Sequence, residues 1–390
     1  MKMKILFVTY ASANGRGGHL HSMLHISDFI SGFYDTKVLS LGNGDSCVLK
    51  ASKNYIGSCI VSDVKSIVKL DNQLSQKLES FLPDIIHCFD EYAFFLCIHS
   101  KKFRSAKFVF TKCGGPSSPN NYWFYADNIV LFSAENYKWY QNKKQYKKAN
   151  IQLIPNRVNE LMIGDLLPHG IKRNENTFYF MRIGRIGINY KSSILSLLGL
   201  VDTLQNAFSI QRKLVVYIIG VIENDIIFQE IKEVASERRV NVCFITDERT
   251  IHASQFLSLA DCVLGTGRGL MEAMSLKIPV LTPVVNNQFP VLVTNSNFND
   301  FLESNFSPRN YISNINKEEE LHRIKEMINN EQSFNTIKNE TYTLFKSRLS
   351  IDSTEDKYKR LYADTLSRKK TYHLINSIYL IKYIIQHLWM

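Results

Sequence analysis

The strongest constraint on this chain's fold is its alternation of two patterns. Short, continuous apolar runs of buried-strand type take turns with stretches of helical spacing along most of its length. KILFVTY ends in the glycine-broken SANGRGG, and HLHSMLHISDFISGF then carries Leu20, Met23, Leu24, Ile26, Phe29 and Ile30 at helical spacing. Strand, glycine loop, helix is the repeating unit of parallel sheets, because a parallel neighbour can be reached only over a crossover connection. The pattern continues through TKVLSLG, the helical NQLSQKLESFL, PDIIHCF, AKFVFTKCGG, NIVLFSAENYKWYQNKK and NIQLIPNRVN. It dissolves over ELMIGDLLPHGIKRNEN, which holds Pro168 and Gly170, and restarts at TFYFMRIGRIG. The helical KSSILSLLGLVDTLQ, the strand KLVVYIIG, the helical DIIFQEIKEVASE and the strand NVCFITD follow; then come a short helix SQFLSLA, the strand DCVLG, the helix GLMEAMSL and the strand IPVLTPV. From about Lys317 onward the spacing is helical. At 390 residues the chain is too long for one ordinary core. The pattern therefore predicts two doubly wound α/β domains with a cleft between them.

Composition narrows the class. Hydrophobic residues make up 45% of the chain, which excludes a disordered polymer, and the formal net charge is +11. That charge suits an anionic partner, although ordinary solubility accounts for it equally well. The seven cysteines are scattered, odd in number and never spaced C-x-x-C, so a reducing cytoplasm is expected rather than a disulfide framework or a zinc site. The apolar run Ile5 to Val8 is too short for a signal-peptide core, and no stretch reaches the roughly 18 apolar residues of a spanning helix. A nucleic-acid partner is not expected, since no recognised module or interleaved basic and aromatic patch occurs.

Three stretches carry candidate chemistry. In NGRGGHLHSM, Gly15, Gly17 and Gly18 lie between a strand and a helix, where backbone can approach an anion at the helix start. Leu20 departs from G-x-G-x-x-G, and a tight structural turn is the alternative. In MRIGRIGINYKSS, Arg182, Arg185 and Lys191 flank a glycine turn after the first strand of the second half. Fixed cations there suit a diphosphate, whose departing oxygens gather charge; a solvated basic turn is the alternative. In DCVLGTGRGLMEAMSLKIPVLTP, Gly265, Gly267 and Gly269 bring backbone amides to a strand's end, and Glu272 is expected in the first helical turn. A carboxylate there could complement the helix dipole or accept hydrogen bonds from a sugar diol.

In order and spacing these stretches resemble the GT-B fold glycosyltransferases of the retaining family 4. NGRGG matches the family's glycine-rich loop, PDIIH its PD-apolar-apolar-H strand and IPNRV its IPNGV turn. Gly184, Arg185 and Lys191 match its GR…K clamp, and ADCVLGTGRGLMEAMSLKIPV its ADV…EAM..G.PV stretch. KYKRLYADTL resembles the last helix, which in this family crosses back to the first domain; the match covers roughly residues 3 to 368. The resemblance implies an acceptor-side Rossmann-like domain over 1–165, a linker at 166–176 and a nucleotide-sugar-binding Rossmann-like domain over 177–345. A helix returning to the first domain is placed at 346–370, leaving an amphipathic tail at 371–390.

It further implies a nucleoside-diphosphate sugar as donor substrate, no other cofactor and no metal, and transfer with retention by an enzyme of hexosyltransferase type. Arg185 and Lys191 would hold the diphosphate as the catalytic pair, and Glu272 the ribose. Gly17, Gly18, Gly184, Arg268, Gly269 and Leu270 would complete the donor site, with Lys112 and His19 on the acceptor side. The family usually has a second glutamate eight positions before Glu272; here Leu264 stands there. Arg268 and nearby amides would take its place. Lys112 and Cys113 stand where a histidine is common, and Lys277 where glycine is usual.

His19, His21 and His25 have poor spacing for a metal and are expected as ordinary surface or core residues, as is His87 at a strand end. The basic QNKKQYKK reads as a solvated helix end or as a patch for anionic headgroups. The tail places Leu374, Ile378, Ile381, Ile385 and Leu388 on one stripe, with Lys369, Lys370, Lys382 and Trp389 close by. It is either a helix packed on the body or an in-plane membrane helix. The expected function is sugar transfer to a glycan acceptor, lipid-linked or part of a surface polysaccharide. Its setting would be cytoplasmic, with a peripheral position on the inner face of the membrane. A GT-B sugar-nucleotide epimerase and a degenerate, non-catalytic scaffold are the rival readings.

Overall fold

The computed structural model describes the chain apart from Met1, Arg16 and residues 120–123, 163–170, 172, 372–373 and 389–390. Most of the expected linker, with Pro168 and Gly170, lies outside the described residues, as does Trp389. Two compact units form, one of residues 1–157 with 354–390 and one of residues 158–353.

The first unit is a seven-stranded parallel sheet. Its strands are β1 (Lys4–Tyr10), β2 (Asp35–Gly42), β3 (Tyr55–Ile60), β4 (Ile85–Cys88), β5 (Lys107–Lys112), β6 (Asn128–Leu131) and β7 (Asn150–Leu153). They lie in the order β3-β2-β1-β4-β5-β6-β7. The crossovers carry α1 (Gly18–Ile30), α2 (Val64–Val68), α3 (Leu70–Leu78), α4 (Glu91–His99) and α5 (Ala134–Gln141). Strands covered on both faces read as unbroken apolar runs. Ile5 to Val8 on β1 and all four residues of β4 are accordingly buried. Side-chain caps start the helices: Asp90 accepts from the Ala93 N–H at 2.7 Å, and Ser133 from the Asn136 N–H.

The second unit is built the same way. Its strands are β8 (Thr177–Ile183), β9 (Lys213–Ile219), β10 (Val242–Ile245), β11 (Cys262–Leu264), β12 (Val280–Thr282) and β13 (Val291–Leu292). The order is β10-β9-β8-β11-β12-β13, with β13 alone antiparallel. Around them lie α6 (Ile188–Ala207), α7 (Asp225–Glu237), α8 (Gly267–Ser275), α9 (Phe298–Glu303), α10 (Lys317–Asn329) and α11 (Glu331–Leu344). β8 shows why both faces are filled: Phe178 and Phe180 enter one core, Tyr179 and Met181 the other. The short helix expected at SQFLSLA lies within 3₁₀ turns spanning Glu248–Leu259, capped by Asp247.

The chain then returns to the first unit as α12 (Glu355–Ser367) and α13 (Leu374–Leu388). The helix expected over 346–370 is regular only from 355, because a π-type turn and a 3₁₀ turn occupy 345–354. Tyr358 and Tyr362 of α12 are buried against β4 and β5. The Tyr362 hydroxyl lies 2.9 Å from His87 Nδ1, and Thr111 Oγ1 lies 2.6 Å from Nε2. His87 is thus a core residue, satisfied on both ring nitrogens. Burial holds it neutral and pulls its pKa from 6.5 down to about 3.

The tail helix α13 packs on α4 through the face that carries its amide. Asn376 accepts from the Tyr125 N–H and returns a hydrogen bond to the Tyr125 carbonyl at 2.9 Å. Ser377 lies 2.8 Å from His99, and Tyr379 stacks on Phe95. The apolar stripe faces outward, with Leu374, Ile378, Ile381 and Ile385 exposed at 71, 55, 58 and 59%. The helix is therefore packed on the body through one face, as the first alternative expects, and exposes an apolar stripe on the other. The side chain of Leu388 lies outside the described residues. Among the described residues, no helix is long and apolar enough to cross a membrane.

Candidate functional site

Ligands of doubly wound sheets sit beyond the carboxyl ends of the strands, where the winding reverses. In the second unit that point lies between β8 and β11. The turn after β8 is pinned to the loop after β9: Ile186 N–H donates to Val221, and Glu223 N–H donates back to Ile186 at 2.8 Å. The approach is close enough to require glycine. A Cβ on Gly220 would stand 2.0 Å from the Gly184 carbonyl oxygen. Gly42 does the same work in the first unit, where a Cβ would meet the Ala11 oxygen at 1.9 Å.

The turn projects the two cations of the expected clamp. Arg185 is 61% exposed and pairs with Glu223, Nη1 to Oε1 at 2.6 Å, while also donating to the Tyr190 hydroxyl. Its guanidinium lies 4.9 Å from the Tyr190 ring centre. Lys191, in the first turn of α6, pairs with Glu230 of α7. Each cation is thus paired with a carboxylate of the same unit. Glu223, Glu230 and Tyr190 were not foreseen, since nothing in their spacing links them to the clamp.

The next loop opens α8. Gly265 lets that loop pass tightly, because a Cβ there would stand 3.1 Å from Leu270. Gly267 adopts φ +53°, and its N–H donates to the Phe306 carbonyl. Gly269 is exposed with open space around it, whereas the Leu270 side chain is in the core, leaving only its backbone to face a ligand. Glu272 lies in the second turn of α8, not the first as expected, because the helix begins earlier, at Gly267. It accepts from Arg268 Nε at 2.8 Å and from Nη2. Among the described residues, Arg268 Nη1 is buried without a hydrogen-bond partner. Gly184, Arg185, Lys191, Arg268, Gly269, Leu270 and Glu272 are thereby gathered on one edge of this unit.

Gly17, Gly18, His19 and Lys112 occupy the matching edge of the first unit. Gly17 caps α1 and Gly18 begins it; a Cβ on Gly17 would stand 2.7 Å from the His19 ring. Lys112 ends β5, half-buried beside Cys113. The residue missed here is Asp90. Half-buried between the ends of β1 and β4, it accepts from Thr9 Oγ1 and from the Tyr10 and Ala93 N–H groups. Burial raises its pKa despite those hydrogen bonds and the nearby His19. An acid directly after a strand and ahead of a helix was the available signal. Among the described residues no group of three metal-ligating side chains gathers.

Solved structures share this architecture along nearly its full length. A glycosyltransferase from Rickettsia africae aligns with 94% of this chain and 100% of its own, at TM-score 0.62 and 15% identity. HepE from Anabaena, solved with UDP and glucose, aligns with 93% of this chain and 100% of its own, at TM-score 0.63 and 14% identity. The lipopolysaccharide outer core galactosyltransferase WaaB, in its apo form, aligns with 93% and 99%, at TM-score 0.54 and 17% identity. No family model matches the sequence, and no curated protein matches it either. The chain has the GT-B fold, the two-domain α/β architecture of these glycosyltransferases.

Proposed function

We propose that this chain is a glycosyltransferase resembling retaining family 4, moving a hexose from a nucleoside-diphosphate sugar to a glycan acceptor. The observation that carries the reading is the placement of Arg185, Lys191 and the start of α8 on one edge of the second unit, at its winding reversal. A diphosphate would take Arg185 and Lys191 from Glu223 and Glu230. As the bond from the anomeric carbon to the phosphate oxygen breaks, charge collects on the leaving oxygens, and two fixed cations stabilise it without a metal. The acceptor hydroxyl attacks the same sugar face, and its proton passes to the departing diphosphate. Glu272 receives the ribose hydroxyls, with the unpartnered Arg268 Nη1 as a further donor. The acceptor is placed with the first unit, near Gly17, His19 and Lys112. It is lipid-linked in this reading, and the outward stripe of α13 rests on an anionic membrane surface.

The first test is a thermal-shift panel with UDP, GDP, ADP and CDP. A ligand at ~100 times its Kd stabilises by about 2.7 kcal/mol, which moves the melting point by a few degrees. One nucleotide should shift it, and Arg185→Ala should abolish the shift. No shift with any of the four would favour a non-catalytic scaffold. Epimerised donor formed without acceptor would assign the epimerase reading instead.

A further inference from the structure

A cavity of about 350 Å³ opens at the carboxyl ends of β8, β11 and β12, entirely within the second unit. One wall is polar, with Asn189, Ser192, Ser193 and Ser196 of α6 and Thr266 before α8; the other is apolar, with Val284 and Phe289 among its residues. Arg182 also lines it, although only 6% of this residue is exposed. Residues alternate across β8, so Arg182 points to the α6 side of the sheet while Arg185 stands on the open turn beyond it.

Arg182 is unusual in what surrounds it. Nε donates to Ser193 Oγ at 3.3 Å, and Nη1 to the carbonyls of Gly184 and Arg185 at 3.3 and 3.5 Å. All are neutral acceptors. Among the described residues no carboxylate pairs with it, and none lines the cavity. Arg173 and Arg212 of the same unit, by contrast, share the buried Asp261, and Arg268 has Glu272. A buried cation without a counter-ion is costly, and such groups are normally paired. Burial lowers the Arg182 pKa to about 10, which leaves it charged at neutral pH. The Tyr190 ring stands between Arg182 at 5.8 Å and Arg185 at 4.9 Å, so the cavity and the diphosphate clamp share a wall.

We infer that this cavity is an oxyanion subsite in which Arg182 receives a carboxylate or phosphate carried by a sugar. Hydroxyl and amide groups along α6 suit a sugar ring's own hydroxyls. A neutral hexose would leave the guanidinium without a counter-charge, whereas an acidic sugar supplies one. The inference deepens the transferase reading and rests on it for the donor as the source of the sugar. A free phosphate is the other source of the same chemistry.

The test is calorimetry on the full chain with UDP, UDP-glucose, UDP-glucuronate, free glucuronate and inorganic phosphate. These are titrated into the wild type, Arg182→Met and Arg182→Lys. UDP-glucuronate should bind at least tenfold more tightly than UDP-glucose. Arg182→Met should abolish that preference while leaving UDP within twofold, and Arg182→Lys should keep part of it. Arg182→Met removes a charge but keeps an unbranched side chain, so it should melt no lower than the wild type. If it fails to fold, the Lys variant alone decides the preference. Phosphate or glucuronate binding that depends on Arg182, with no response to UDP here or to GDP, ADP and CDP in the thermal panel, would keep the subsite and overturn the donor reading. UDP binding with no preference between the two sugars, no binding of the free anions and no effect of Arg182→Met would overturn the subsite and leave the transferase reading intact. If none of the five ligands binds, the subsite falls; the transferase reading falls with it only if GDP, ADP and CDP also fail in the thermal panel.

Discussion

If Arg185 is a diphosphate ligand, Glu223 is its competitor, and removing the competitor's charge should tighten binding. The pair is well formed at 2.6 Å, yet its side chains are 61 and 36% exposed. Exposed pairs are worth only about 0.2–1 kcal/mol. Glu223→Gln should therefore raise affinity for the nucleotide found in the thermal panel by up to about 1 kcal/mol, or roughly fivefold. Lys191 and Glu230 form a separate pair, so Glu230→Gln should add a gain of similar size. Arg185→Ala removes a charge-assisted hydrogen bond and should cost about 1.5–3 kcal/mol, from tenfold to just over a hundredfold. Calorimetry at low salt gives the constants directly, and the gains should shrink as salt screens the exposed pairs. The reasoning is refuted if Glu223→Gln weakens binding as much as Arg185→Ala does. Glu223 would then be holding Arg185 in position rather than competing for it.

Three further outcomes follow from the packing. The unfolded chain protonates His87 below pH 6.5, whereas the folded chain resists until about pH 3. Stability should therefore fall with pH across that window by about 1.4 kcal/mol per unit from this residue, and urea melts of His87→Gln should lack that component of the slope. Gly220→Ala should cost about 1–3 kcal/mol of stability by driving its methyl into the Gly184 carbonyl. It should also displace Arg185, so nucleotide affinity, measured at a temperature where the variant is folded, should drop as well. For the tail, the full chain should co-sediment with vesicles containing phosphatidylglycerol more than with pure phosphatidylcholine. Ile378→Glu with Ile381→Glu should release it without lowering the melting point, since both residues are exposed.

The sheet architecture was legible because a parallel strand buried on both faces has no choice but to be apolar throughout. Three elements of the first unit escaped, the five-residue α2 and, for opposite reasons, α4 and β3. α4 has seven of its nine residues buried, so it carries no amphipathic period to detect. β3 is short, half-buried and broken by Gly57, and so resembles a loop. In the tail, spacing found the apolar stripe but not its direction. Asn376 is buried because it closes two hydrogen bonds on the Tyr125 backbone, and a local pattern cannot reveal a partner 251 positions away. The site divides similarly. Glycines at strand ends stood out because close backbone approach restricts residue type, and the cations because they follow those glycine turns. Glu223, Glu230 and the absence, among the described residues, of a counter-ion at Arg182 are properties of three-dimensional neighbours, which no local pattern encodes.

The return of α12 to the first unit sets an order on the chain's synthesis. Domains generally fold as they leave the ribosome, first to last. Here the first sheet emerges without the helix that covers β4 and β5, and the roughly 200 residues of the second unit are made before that helix appears. At ~5–20 residues per second the delay is on the order of 10–40 s. Throughout it, His87 lacks Tyr362, and the aromatic surface around it stands open to water. A ribosome that stops short of α12 would thus release a complete second unit beside an unsealed first one. Quality control that senses exposed apolar surface would see the damage near the N-terminus, although the missing piece lies at the other end.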